Sequence, residues 1–133
     1  NKRIQKPSSK FSWLSRDENQ VKKYEESHFC GNVMSAGFFE CFFTGLMNLY
    51  KNMEGIPGRL PVYIISGAED PVGKYGLGTK RLYDEYKRLG LSNLRIKIYE
   101  GARHEILNEI DRKEVYLDIL NWLRECVLTE ILH

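Results

Sequence analysis

The run VYIISGAEDPVG, residues 62–73, decides how the second half of the chain folds. Val62 to Ser66 is short, uninterrupted and rich in β-branched side chains, the pattern of a strand covered on both faces. GAEDPVG then reads as a loop. Downstream, the spacing predicts a helix from Gly76 or Leu77 to Leu89, with Leu82, Tyr86 and Leu89 on one face and Gly90 closing it. LRIKIYE, residues 94–100, repeats the strand pattern. After GARHE a last helix is predicted from near Asp111, capped by Asp111 with Glu114 and striped with Val115, Ile119, Trp122, Leu123 and Cys126. Strand, helix, strand, helix is the signature of a parallel α/β sheet. Two strands cannot bury both faces and both edges, so the segment is expected to be the margin of a larger sheet.

Upstream the pattern is helical. Ser15, with Glu18 three positions on, has the spacing of a capping box for a helix from Asp17 to Ser27. HFCGN interrupts it. A second helix is predicted from Ser35 to Glu54, with Phe38, Phe39, Phe42, Phe43, Leu46, Met47, Leu49 and Tyr50 filling more than one face and implying contact on two sides. EGIPGRLP, residues 54–61, is dense in helix and strand breakers and marks an internal boundary. The division expected is 1–58 and 59–133.

Composition excludes several classes. Twenty basic against eighteen acidic residues leave a net charge of +2, and no basic stripe suggests a nucleic-acid partner. FFECFFTGLM is about half the length needed to span a bilayer and contains Glu40, so no transmembrane segment is expected. The N-terminus lacks a signal-peptide pattern. Three widely spaced cysteines, Cys30, Cys41 and Cys126, fit reduced thiols in a cytoplasmic protein better than a disulfide framework or a zinc site.

Three patterns bear on chemistry. HEILNE, residues 104–109, begins like a zinc-binding helix, but Asn108 stands where the second histidine is required, and His28 and His133 have no companion at ligand spacing. No metal is expected. Gly73 and Gly78 in GKYGLGTK have the spacing of a phosphate loop, yet Thr79 and Lys80 are in swapped order and the stretch begins well past the strand, so it reads as a loop easing into a helix. The third pattern joins two sites. Asp70 follows the first strand and His104 the second, and functional groups collect at the carboxyl ends of parallel strands. A carboxylate holding the imidazole Nδ1–H would leave Nε2 free as a base, and acid before histidine is the order found in α/β-hydrolases. The plain alternative is that Asp70 before Pro71 only forms a turn and His104 is solvated.

LPVYIISGAEDPVG, IKIYEGARHEILNE and ILNWL together resemble the serine hydrolases of the monoacylglycerol lipase and lysophospholipase group. In that family the strand leading to G-x-x-D-P-V-G carries the triad acid and the one leading to G-x-R-H-E-x-x-N-E the triad base. The resemblance thus implies catalytic roles for Asp70 and His104. SWLSRDENQVKKYEESHFCGN is similar to the end of the family's cap, making 1–58 a cap-derived helical segment and 59–133 the C-terminal part of an α/β-hydrolase core, with its last two parallel strands and flanking helices. The implied activity is cleavage of a carboxylic ester of a fatty acyl glycerol or lysophospholipid, without a cofactor. Phe38 and Phe42, with Phe39 and Phe43, are candidates to line an acyl pocket, although sheet packing accounts for part of this set. Glu109, Asn108 and Arg103 are expected to hold the loop and the next helix terminus.

The family's nucleophile sits in G-x-S-x-G, which these residues lack. Ser35 in GNVMSAG is too far from Gly31 and has no strand before it; Ser66 has no partner pattern. A missing N-terminal half of the same hydrolase is therefore expected to supply the serine, and the chain, which opens on Asn1 rather than methionine, is expected to be inactive alone. Its open strand edges would pair with that half or with a second copy. The competing reading is a non-catalytic binding or assembly module derived from a hydrolase.

Overall fold

A computed structural model describes residues 3–4 and 6–131. Two parallel strands, β1 (Val62–Gly67) and β2 (Leu94–Tyr99), pair in register from Val62 opposite Leu94 to Gly67 opposite Tyr99. Both strands therefore end level, and the loops that follow them open on the same edge. The crossover is made by α3 (Leu77–Arg88). Its chain reverses at Gly90, which takes the left-handed φ of 88° expected of the residue after a helix end.

The core is small. Tyr99, Ala102, Ile106 and Val115 are buried together, with Ile65 and Ile119 packed against them. Val115 and Ile119 lie on α4 (Arg112–Ile131), and Trp122 further along packs against Tyr63 of β1 with ring centroids 5.7 Å apart, so the predicted stripe meets the sheet, while Leu123 is exposed. Most of β1 is only half-buried rather than covered on both faces, because among the described residues the sheet has two strands. Among the described residues no helix is long and apolar enough to cross a membrane.

Two predicted helix starts are corrected. The first helix, α1, runs Glu18–Glu26, and its cap is Asp17, whose side chain accepts from the N–H groups of Asn19 and Gln20. Ser15 instead accepts from Asp17 N–H and donates to the Asn108 carbonyl, so a local cap is replaced by a tertiary bond. At α4 the Asp111 carboxylate is engaged by Arg16 at 2.8 Å, and only its carbonyl meets Glu114 N–H.

The aromatic helix α2 (Ala36–Leu49) is shorter than predicted and passes into a 3-10 turn, Tyr50–Gly55. Ser35 starts it by accepting from Phe38 N–H at 3.2 Å. No residue of α2 is buried. The expected contact on two sides is thus absent within the described residues, and the rings pack on one another, Phe38 on Phe42 at 5.9 Å and Phe39 on Phe43 at 6.0 Å.

A charged cluster ties β2 to α4. Asp118 receives Lys97 at 2.5 Å and the Tyr99 hydroxyl at 2.8 Å, and Lys97 also reaches Glu114 at 2.8 Å. The Lys97 ammonium, then the Tyr99 hydroxyl, hold the Asp118 carboxyl below the usual carboxylate range. Burial, then the bond to Asp118, pushes the Tyr99 phenol up, and Asp118 followed by Glu114 raises Lys97. A lowered carboxyl stabilises the fold above about pH 4 and stops doing so as pH falls through its folded value, whereas the raised groups stabilise below about pH 10 and lose this as pH rises. Because the cluster is partly solvated, Asp118→Asn is expected to cost under about 1 kcal/mol at pH 7. In urea unfolding, that difference should narrow as pH falls below about 4 and through the lowered folded value of Asp118.

Candidate active site

Asp70 and His104 occupy the two loops at the carboxyl edge. The first loop folds back on itself from Gly67, whose carbonyl accepts from Asp70 N–H at 3.3 Å, while the Asp70 carbonyl accepts from Tyr75 N–H at 2.7 Å. Lys74, Tyr75 and Gly76 all hold positive φ, at 52°, 58° and 80°, coiling the chain left-handedly into α3. The two loops are joined where Glu69 N–H donates to the Ala102 carbonyl at 2.8 Å. Gly67 makes this approach possible: a Cβ there would lie 2.2 Å from the carbonyl oxygens of Ala102 and Arg103.

With the loops joined, His104 Nδ1 stands 3.1 Å from Asp70 Oδ1, across 34 positions of sequence. The same oxygen accepts from Val72 N–H at 2.8 Å. The carboxylate side chain is 10% exposed and the imidazole 36%. The acid is thus fixed and shielded, while the ring it holds still faces outward. Gly73 leaves room for the acid, since a Cβ there would sit 3.0 Å from Asp70 Oδ2. An ionised carboxylate accepting from Nδ1–H selects the tautomer whose Nε2 carries a free lone pair. Such a pair can take a proton from a hydroxyl and return it to a leaving group.

The support beneath His104 comes from the strap Ser12–Arg16. Glu109, 1% exposed, accepts from Arg16 N–H at 3.1 Å, Arg16 Nε at 2.9 Å, Arg103 N–H at 2.9 Å and Ile110 N–H at 3.1 Å. Arg103 donates through Nη1 to the carbonyls of Ser12 and Ser15. Asn108 turns its amide to Glu105 at 2.8 Å within the 3-10 turn Ile106–Asn108. Glu109, Asn108 and Arg103 therefore hold the loop as expected. No local spacing marks Arg16 or Trp13 as neighbours of the histidine loop, because their partners lie some 90 positions away.

Other candidates fall outside this arrangement. Ser66 is buried and donates to its neighbour's carbonyl, Gly67 O, at 3.3 Å, and Ser35 caps α2. The Gly73–Gly78 stretch closes on itself through Gly78 N–H to Gly73 O at 2.9 Å, a turn into α3. Phe38 and Phe42 lie on the exposed α2 and take no part in the hydrogen-bonded network around Asp70 and His104. Among the described residues no group of three histidine, cysteine or acidic side chains is placed to hold a metal ion.

A family model described as serine aminopeptidase, S33, matches residues 2–111. The chain belongs to this hydrolase family. Its fold is that of part of an α/β-hydrolase, as three solved structures show. A thermostable carboxyl esterase from Bacillus coagulans, in complex with glycerol, is 28% identical, with a TM-score of 0.77 over 93% of this chain. A lipase in its open form is 25% identical, with a TM-score of 0.79 over 92% of this chain. A Paleococcus ferrophilus monoacylglycerol lipase is 25% identical, with a TM-score of 0.68 over 88%. The chain spans 41% of the first two and 44% of the third. No curated protein matches the sequence.

Proposed function

We propose that these residues supply the acid and base of a serine hydrolase acting on carboxylic esters, with Asp70 orienting His104 and His104 serving as general base. The observation that carries this reading is the Oδ1–Nδ1 pair at 3.1 Å, set at the level carboxyl ends of two adjacent parallel strands. The esterase and lipase folds to which the chain is similar support an ester substrate.

The nucleophilic serine comes from residues preceding Asn1, in a G-x-S-x-G turn on a neighbouring strand that also covers an edge of the sheet. His104 takes the proton of that serine as it attacks the acyl carbonyl, then gives it to the departing alcohol. In this reading residues 1–58 are cap-derived and α2 faces the rest of the hydrolase, with Phe38 and Phe42 lining the acyl pocket. A monoacylglycerol or lysophospholipid supplies the acyl group, in a cytoplasmic setting that leaves the free cysteines reduced.

The test is hydrolysis of p-nitrophenyl esters by the complete protein, with a long-chain monoacylglycerol and a lysophospholipid as competitors. Turnover by the complete protein and none by residues 1–133 alone is the expected result. A complete protein that cleaves none of these esters would favour the binding-module reading.

A further inference from the structure

The Asp70 bond holds the His104 ring at Nδ1, and a single hydrogen bond restrains the ring's rotation about its side-chain bonds without locking it, leaving some pivot. The half-buried indole of Trp13 lies against the imidazole, with ring centroids 5.1 Å apart and planes tilted by 40°. This placement is built by the backbone. The Trp13 carbonyl accepts from His104 N–H at 3.4 Å, and the Leu14 carbonyl from Glu105 N–H at 2.7 Å. On the other side Arg103 Nη1 donates to the Ser12 carbonyl at 2.6 Å. The residues before, at and after Trp13 are thus matched to those before, at and after His104. Glu109 locks the register through Arg16. Trp13 also lines a cavity of about 230 Å³ together with Ala68, Glu69, Pro71 and Tyr75, which belong to the loop of Asp70. One side chain therefore packs on the base and shares a cavity wall with the loop that carries its acid.

We propose that Trp13 is a positioning residue for His104, its ring restraining the pivot that the single bond to Asp70 permits and so aiming Nε2. The proposal rests on the hydrolase reading above. Aromatic contacts restrain a neighbouring ring only modestly, but a base misplaced by an ångström loses much of its rate. Loss of the ring should therefore appear in turnover rather than in substrate binding.

The experiment uses the complete protein with p-nitrophenyl butyrate. Trp13→Leu keeps apolar bulk without a ring and is expected to lower kcat about tenfold with KM within about threefold. Trp13→Phe restores a ring and should recover kcat to within about threefold. The proton NMR signal of His104 Nδ1–H should be sharp in the unaltered protein and in Trp13→Phe, and broadened in Trp13→Leu. An unchanged kcat in Trp13→Leu, or a Trp13→Phe variant as slow as Trp13→Leu, overturns the proposal. His104→Gln is measured alongside. If it stays active the hydrolase reading itself fails, whereas an inactive His104→Gln beside an unaffected Trp13→Leu removes only the role of Trp13.

Discussion

Replacing His104 by Gln in the complete protein is expected to lower ester turnover by at least about 10⁴-fold, leaving the residual rate that binding and oxyanion stabilisation provide. Glutamine cannot accept and return a proton at the position of Nε2. Asp70→Ala should come close to this loss, because it removes both the tautomer selection and the charge that stabilises the imidazolium. Asp70→Asn is expected to be milder. Asp70 Oδ1 accepts from Val72 N–H at 2.8 Å as well as facing His104 Nδ1 at 3.1 Å. In Asp70→Asn the Val72 donor would keep the new amide oxygen turned towards both, so the imidazole retains its orientation and loses only the full negative charge. The order of kcat predicted is unaltered protein, then Asp70→Asn, then Asp70→Ala and His104→Gln together. An Asp70→Asn variant slower than Asp70→Ala would show that the amide turns over and imposes the wrong tautomer.

Glu109→Ala is expected to cause the largest loss of stability, about 3–5 kcal/mol, out of a total that for a domain is commonly only about 5–15 kcal/mol. The carboxylate is buried and accepts from the backbone N–H and Nε of Arg16, from Arg103 N–H and from Ile110 N–H. Truncation leaves those donors without their acceptor and strands the Arg16 guanidinium, which is only 25% exposed. Arg16 keeps its second partner, Asp111, and that restrains the loss. Glu109→Gln should cost less, since its amide oxygen still accepts. Chemical unfolding of both variants provides the check. A cost below about 1 kcal/mol for Glu109→Ala would mean that the strap and the histidine loop hold together without this anchor.

The sequence made the second half legible because each element there is locally consistent. The β-branched run of β1, the amphipathic α3 closed by Gly90 and the second run of β2 all agree with the pattern of a parallel unit, and the level ends of the two strands then bring Asp70 to His104. What could not be read is what depends on distant partners. Ser15 has the local spacing of a helix cap, yet its hydroxyl goes to the Asn108 carbonyl, 93 positions away. Asp17 wins the cap because it is adjacent to the first turn, where its Oδ1 accepts from two N–H groups while its Oδ2 accepts from Arg112. Trp13 and Arg16 lie in an irregular polar segment, and nothing in their spacing reveals that they face the histidine loop. The breadth of apolar residues on α2 implies contact on two sides, yet no residue of that helix is buried among the described residues.

The central claim is that Asp70 and His104 serve a serine outside the present residues. It is tested most directly by treating the complete protein with a fluorophosphonate and locating the adduct by peptide mass spectrometry. The account predicts one modified serine, within a G-x-S-x-G motif preceding Asn1, with labelling lost in His104→Gln. Labelling of Ser35 or Ser66, labelling indifferent to His104, or no labelling of the folded protein would contradict it.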